Sequence, residues 1–269
     1  MVNYAPKTLQ EALKLRQETQ SVPYAGGTDL MVENRKDVSY LFINRVAELQ
    51  QVLEDEAYIR IGSGVTFTQA LENKLVPELM KEAVSKIAAP AIRNAGTFGG
   101  NLGNGSAKAD SVLIEYVMDA KIRLLSVNGE RIVDVDRFYK GRRDLDLRDD
   151  ELIAEILIPK QKIEKYAYQK VGGRNALAIS RISFAGIVDT QDGKIKRIAA
   201  AFGAVADTVL RYKEIEKTML GKTVEEAKEL RETYIKAYMD NMVLTRGRVS
   251  AEYRKAVCEN LLRDFLELI

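Results

Sequence analysis

Histidine is absent from the 269 residues, and cysteine occurs once, at Cys258. The first absence removes Ser-His-Asp and Cys-His nucleophilic catalysis, histidine general-base chemistry and His-ligated zinc. One thiol can form no internal disulfide and cannot hold an iron–sulfur cluster, which needs about four thiolates; it fits a reducing compartment. Long apolar runs are also missing, since nowhere do ~18 apolar residues follow one another, and the opening MVNYAPKTLQ lacks the apolar centre of a secretory signal. A cytoplasmic protein with no membrane partner is expected. Charge of one sign is scarce: 41 Lys+Arg against 39 Asp+Glu leave a formal charge of +2, with no basic stripe to suggest a nucleic-acid partner. Hydrophobic residues at 46% and charged residues at 30% describe an ordinary soluble protein, long enough for two or three domains. No catalytic side chain and no metal-ligand cluster stands out.

What the chain does have is the run from Arg93 to Ser111, RNAGTFGGNLGNGSAKADS. It holds five glycines and three asparagines, and carries no charge from Asn94 to Ala107. Such a stretch tolerates positive φ, turns tightly and can bring several backbone N–H groups to one point, where an anion such as phosphate is stabilised. A plain surface loop has the same composition, but a structureless segment this long between apolar flanks is usually functional. A second glycine element, Ala25-Gly26-Gly27-Thr28-Asp29-Leu30, follows a short strand and precedes the helix-compatible LMVENRK. Strand, glycine turn and helix start together place N–H groups at the positive end of a helix; a turn capped by Asp29 is the alternative.

The spacing of apolar residues organises the rest. Thr8 and Glu11 form a capping box for a helix through about Thr19, and strands are predicted at 22–25, 40–43 and 58–61. Thr66 and Gln69 cap a helix to Glu72, and a helix over 77–87 is broken by Pro90. Asp110 or Ser111 caps a helix to Asp119. Asn128-Gly129 between 121–127 and 131–135 is a strong hairpin signal. Residues 136–150, dominated by charge, read as a solvated linker, and 151–158 returns to β character. Strands at 166–171, 183–189 and 195–205, with an Asp192-Gly193 turn, precede helices at 211–220, 223–238 and 251–269, which suggests a helical layer on an antiparallel sheet.

Several tempting features fail. Gly221-Lys222-Thr223 lacks the earlier glycine of a P-loop, because Glu216 stands there, and Lys108 replaces the third glycine of a Gly-x-Gly-x-x-Gly pattern. Cys258, among Val257, Leu261 and Leu262, reads as a buried small hydrophobe. Tyr139, Tyr166 and Tyr168 read as packing aromatics, and Lys170, Arg174 and Asn175 as a polar turn.

The two glycine elements, about seventy residues apart, give the chain a family likeness. With Tyr4 to Ala12, Lys170-Val171-Gly172-Gly173-Arg174-Asn175-Ala176-Leu177-Ala178-Ile179-Ser180, Ala109-Asp110-Ser111 and Ser250-Ala251-Glu252-Tyr253-Arg254 in the same order, it resembles the FAD-binding (medium) subunit of the molybdenum hydroxylases. That group contains xanthine dehydrogenase, nicotinate dehydrogenase and aerobic carbon monoxide dehydrogenase. The resemblance implies an α+β chain: a two-subdomain α/β FAD-binding domain of the PCMH type over 1–159 (about 1–53 and 54–159), then a smaller domain over 160–269 with an antiparallel sheet and helical layer. It implies that Ala25, Gly26, Gly27, Thr28, Asp29 and Leu30 hold the FAD pyrophosphate and that Thr97, Gly99, Gly100 and Asn101 complete the phosphate and ribityl site. Asp110 matches a cofactor-contacting acid, and Ile153 and Lys170 align near the isoalloxazine ring. Where many members have Ala-Ser-Pro, this chain has Gly105-Ser106-Ala107 and then Lys108, a version most like bacterial xanthine dehydrogenase subunits.

The likeness further implies a large molybdenum-cofactor partner subunit, a small [2Fe–2S] partner subunit, and reoxidation by NAD⁺ or another acceptor. With no histidine, FAD is expected to be non-covalent; without the extra cysteines, the additional cluster of hydroxybenzoyl-CoA reductases is not expected. Two alternatives stay open: a self-sufficient FAD-dependent oxidoreductase, and a flavin-free nucleotide-binding scaffold.

Overall fold

Leu152–Pro159 is apolar at almost every position, as a strand covered on both faces must be. In the computed structural model, which describes residues 2–269, it is the central strand of a five-stranded antiparallel sheet. Tyr58–Gly62 and Lys121–Ser126 pair on either side of it, and Val52–Glu54 and Gly129–Asp134 form the edges. The register sets Ile61, Ile156 and Ile122 in one row across three strands, all fully buried. Because side chains alternate along a strand, the opposite face carries Arg60, Glu155 and Arg123, with Glu155 Oε2 at 2.8 Å from Arg60 and 3.0 Å from Arg123. The Asn128-Gly129 turn closes the edge hairpin with Gly129 at φ 135°.

A second layer covers the start of the central strand. The helix Leu9–Thr19 and the parallel pair Val22–Tyr24 and Tyr40–Phe42 bury Ala12, Leu41, Ile43, Val46 and Leu49 against Leu152 and Ala154. These elements belong to one compact unit, formed by the chain up to Ser106 and from Asp119 to Lys160. Ala107–Met118 and Gln161–Ile269 form the other.

In the second unit, Lys165–Val171, Ile182–Gln191, Lys194–Gly203 and Leu210–Arg211 make an antiparallel sheet whose main hairpin turns at Asp192 (φ 52°) and Gly193 (φ 73°). One face presents Phe184 and Phe202, which pack with Phe265 and Tyr238 under the helices Arg231–Asn241 and Ala251–Leu266. The other face is built of small residues. Gly203, opposite Ser183 in the register, has room only for hydrogen beside the Ser183 hydroxyl, and Leu113 lies 3.8 Å from the same point. Small residues let the helix Asp110–Val117 lie on this face; every residue of that helix is buried. Cys258 is fully buried, and burial pushes its thiol up to about 12, which leaves it inert.

Several local expectations are corrected. Pro90 does not break a helix but opens one, Pro90–Ala95, where its missing N–H costs nothing. The glycine run is not structureless, since Phe98–Gly103 is helical, and of its five glycines only Gly105 has positive φ (65°). Residues 136–150 are not a solvated linker: Phe138 and Tyr139 are buried, and Tyr139–Gly141 pairs with Asp144–Leu145. The expected helix from 223 divides at Leu230 into Val224–Glu229 and Arg231–Asn241, and the one expected from 211 begins at Lys213 after a short strand. The capping boxes at Thr66/Gln69 and Thr223/Glu226 are present. At Thr8 only half of one forms, because the Glu11 carboxylate accepts from the Lys7 amide.

Glu115, on the all-buried helix, has no solvent exposure, and neither carboxylate oxygen has a well-formed hydrogen bond. Burial pushes its carboxyl up to about 8, with the Ser111 hydroxyl pulling weakly the other way. A raised carboxylate leaves the folded state unpenalised below the ordinary value and increasingly penalised as pH climbs towards 8. The cost at pH 7 is about 3 kcal/mol. In Glu115→Gln, the stability difference from wild type should therefore rise from pH 4.5 to 8 in denaturant titrations; parallel stability curves would refute the assignment.

A glycine-walled cavity as candidate cofactor site

The first glycine element leaves the strand Val22–Tyr24 and turns at Gly27, whose φ of 66° suits glycine and whose missing Cβ would meet the Tyr24 ring at 2.1 Å. Gly26 has a tighter constraint, because a Cβ there would lie 1.8 Å from the Ala95 carbonyl oxygen. The two glycine elements, distant in sequence, are thus in backbone contact. Gly99 is likewise pressed against Ser63, with 2.4 Å between its would-be Cβ and that of the serine. Only glycine allows either approach.

Around this contact lies a cavity of about 320 Å³, walled entirely by the first unit. Its lining includes Ala25, Gly26, Gly27, Thr28, Asp29 and Leu30 from the first element and Thr97, Gly99, Gly100 and Asn101 from the second. Ile153, near the start of the central strand, also lines it and sits 3.4 Å from the position of a Cβ on Gly103. Eleven of the thirteen residues singled out from the sequence therefore meet at one cavity. Asp110 and Lys170 belong to the second unit, where they form a different structure. The Lys170 ammonium lies 2.6 Å from Asp110 Oδ2, and the Ser180 hydroxyl donates to Oδ1 at 2.8 Å. Asp110 does not cap its helix, because Ala109 holds that position.

The two elements contribute differently. In the second, the amides of Phe98, Gly99, Gly100 and Asn101 donate to Val65 O, Ser63 O, Thr97 Oγ1 and Thr97 O, so it supplies shape and side chains. In the first, the five amides from Gly26 to Leu30 donate to no group among the described residues. A run of unspent amides on a turn suits a multivalent oxyanion.

Sequence reasoning missed the residues that close the cavity. Ser63 is 2% exposed and lines it, and its hydroxyl has no hydrogen-bond partner among the described residues. Asn104 Nδ2 donates to Asp29 Oδ2 at 2.9 Å, tying the end of one element to the other. Arg143 and Leu147 come from the stretch read as a linker; the arginine, with φ 58°, donates its amide to Gly105 O. Glu151 is also in the wall. Burial acts to raise its carboxyl, but two hydrogen bonds from Arg131, at 2.7 and 2.9 Å, and one from the Arg148 amide hold it below the ordinary value. Asp146 is lowered to about 2, by Lys140 first and by Arg131 next. Alternating charges around residues 142–151 were the available signal, and they read equally well as a solvated face.

Comparison with known proteins shows the family. The family described as "FAD binding domain in molybdopterin dehydrogenase" matches residues 2–161, and "CO dehydrogenase flavoprotein C-terminal domain" matches 166–269. The xanthine dehydrogenase FAD-binding subunit of Escherichia coli O157:H7 is 34% identical over 223 residues, covering 78% of this chain and 76% of that protein. The nicotinate dehydrogenase FAD-subunit of Eubacterium barkeri is 30% identical, covering 99% and 95%. Among solved structures, carbon monoxide dehydrogenase from Hydrogenophaga pseudoflava superposes with a TM-score of 0.90 at 26% identity, over 98% of this chain and 95% of that one. The chain belongs to the FAD-binding subunits of the molybdenum hydroxylases, a family of oxidoreductases. Its cofactor is FAD, and the residues present fit such a group: backbone cradles that a Cβ would fill, unspent amides for a diphosphate, and a buried unpartnered hydroxyl for a polar edge. No helix among the described residues is long and apolar enough to cross a membrane.

Two outcomes test the site. A bulky residue at Gly27, or alanine at Gly26, should abolish FAD retention in a folded chain, read as the flavin-to-protein absorbance ratio; normal stoichiometry would count against the cradle. Arg131→Ala should cost about 2–4 kcal/mol at neutral pH by stranding the buried Glu151 carboxylate. Since Glu151 and Asp146 are both lowered, that difference should be full above pH 4.5 and shrink as pH falls through their folded values. A pH-independent loss in urea melts would show that the ion pairs are not its origin.

Proposed function

We propose that this chain is the FAD-carrying electron-transfer subunit of a xanthine-dehydrogenase-like molybdenum hydroxylase. It would receive electrons from the [2Fe–2S] clusters of a small partner subunit, themselves supplied by a large molybdenum-cofactor subunit, and be discharged by NAD⁺ or another acceptor. The observation that supports it most is the meeting of both glycine elements at one cavity with five unspent amides in its wall. Bound FAD supplies a centre that takes electrons singly or in pairs and can pass on a hydride.

The protein's part is to hold and orient. Gly26 to Leu30 would bind the diphosphate through their amides. Thr97 to Asn101 would shape the path beside it, with Ser63 behind Gly99 offering its hydroxyl. Ile153 presents an apolar surface suited to a flavin ring, while Leu152 and Phe67 help to exclude water. Asp110 and Lys170, an ion pair joined by Ser180, are proposed as cofactor-contacting residues on the family likeness alone. We propose residues 1–159 as the FAD-binding domain and 160–269 as the following flavoprotein domain, in a cytoplasmic complex.

Purification of the chain alone gives the test. A yellow protein, whose flavin is released by acid and which reduces no substrate until the molybdenum and [2Fe–2S] subunits are added, is the expected result. Substrate turnover by the isolated chain would favour a self-sufficient flavin oxidoreductase, and a colourless protein indifferent to added FAD would favour a scaffold.

A further inference from the structure

The cavity wall is unevenly charged. It holds three carboxylates, Asp29, Glu33 and Glu151, and among the described residues Arg143 is its one cation. Two of the acids are already engaged: Glu151 is held by Arg131, and Asp29 accepts from Asn104. Glu33, the last residue of the turn Leu30–Glu33, pairs with Arg143 at 2.9 Å. The arginine side chain is 62% exposed and Glu33 only 30%. Arg143 is therefore the movable member, reaching in from the solvent side of the wall.

Its backbone, by contrast, is fixed. Arg143 lies in the left-handed region at φ 58°, its amide bonds Gly105 O at 3.1 Å, and Gly105, also left-handed at φ 65°, would place a Cβ 2.8 Å from Arg143 Cα. Two left-handed residues clasped in this way anchor the root of a long side chain at the end of the second glycine element. A non-glycine residue in that conformation is strained, and such strain recurs where a side chain must be aimed.

A diphosphate brings two negative charges into this wall. Five amides supply hydrogen bonds but no net charge, and the nearby carboxylates oppose the ligand. A planar guanidinium, with its fork of donors, is the group suited to neutralise it. We propose that Arg143 is the counter-charge for the cofactor's diphosphate, held in reserve by Glu33 and transferred from that carboxylate to the phosphate oxygens on binding. The inference rests on the cofactor reading above and deepens it. Glu33 then acts as a competing anion that sets how readily FAD is taken up and lost.

The test uses the full chain stripped of flavin and titrated with FAD, with ADP and with riboflavin, which has no phosphate. Arg143→Gln should weaken FAD and ADP binding about ten- to a hundredfold, the worth of a charge-assisted hydrogen bond, and leave riboflavin binding unchanged. Arg143→Lys should recover part of the loss, which separates lost charge from lost fold. Glu33→Gln should tighten FAD binding severalfold, and should do so less in the Arg143→Gln background. FAD affinity unchanged in Arg143→Gln, or Glu33→Gln weakening it as much as Arg143→Gln does, overturns the inference while leaving the cofactor reading intact. A wild-type chain that binds neither FAD nor ADP overturns both.

Discussion

The hydrogen on Gly26 is the narrowest constraint in the first unit. Where it sits, the Ala95 carbonyl leaves no space for a methyl group, so the turn after the first parallel strand can lie on the end of the helix Pro90–Ala95 only if that residue is glycine. The contact joins segments about seventy residues apart and brings both glycine elements into one wall. Much of the surrounding packing holds this meeting in place. Ser63 takes its position from a hydrogen bond to Ala154 on the central strand, and Gly99 is pressed against Ser63 in turn, so the sheet itself sets the second element's height. Ile153, on the same strand, then points at the space left between them.

Glycine does different work at successive positions. At Gly27 it allows a left-handed turn that leaves amides unspent; at Gly26 and Gly99 it removes a side chain so that backbones can touch. Within Phe98–Gly103 the close approach falls at Gly99, while a Cβ on Gly100 or Gly103 would meet nothing nearer than 3.0 and 3.4 Å. A helix of three glycines in six residues has little intrinsic stability. Its amides are satisfied by Thr97, Ser63 and Val65 instead, and tertiary contact replaces propensity.

These particulars explain what the sequence could and could not disclose. The hairpin at Asn128-Gly129, the capping boxes at Thr66 and Thr223 and the strands around 58–62 and 152–159 are local signals, and they form as read. The helix in the glycine run was illegible because its cause is non-local: nothing between Thr97 and Gly103 announces that Ser63 and Val65 wait to accept its first amides. Residues 136–150 misled for the same reason. Charge suggested solvent, but Arg131 gathers Asp146 and Glu151 into one buried-edge cluster while Phe138 and Tyr139 turn inward. Ser63 and Arg143 carried no motif at all. The lining of the cavity was legible in the two glycine elements and at Ile153; the polar residues that close it were not.

The distribution of charge gives the last step. Wherever the first unit buries an acid, it surrounds it: Glu151 by Arg131 and a backbone amide, Glu155 by Arg60 and Arg123. Around the glycine turn it does the opposite, leaving amides that bond nothing among the described residues and one exposed arginine paired with Glu33. A turn that keeps its amides free at one place, in a unit that pairs its ions elsewhere, suits a ligand rich in acceptors. Binding a charged dinucleotide such as FAD at such a place is a task for backbone donors and does not call for histidine.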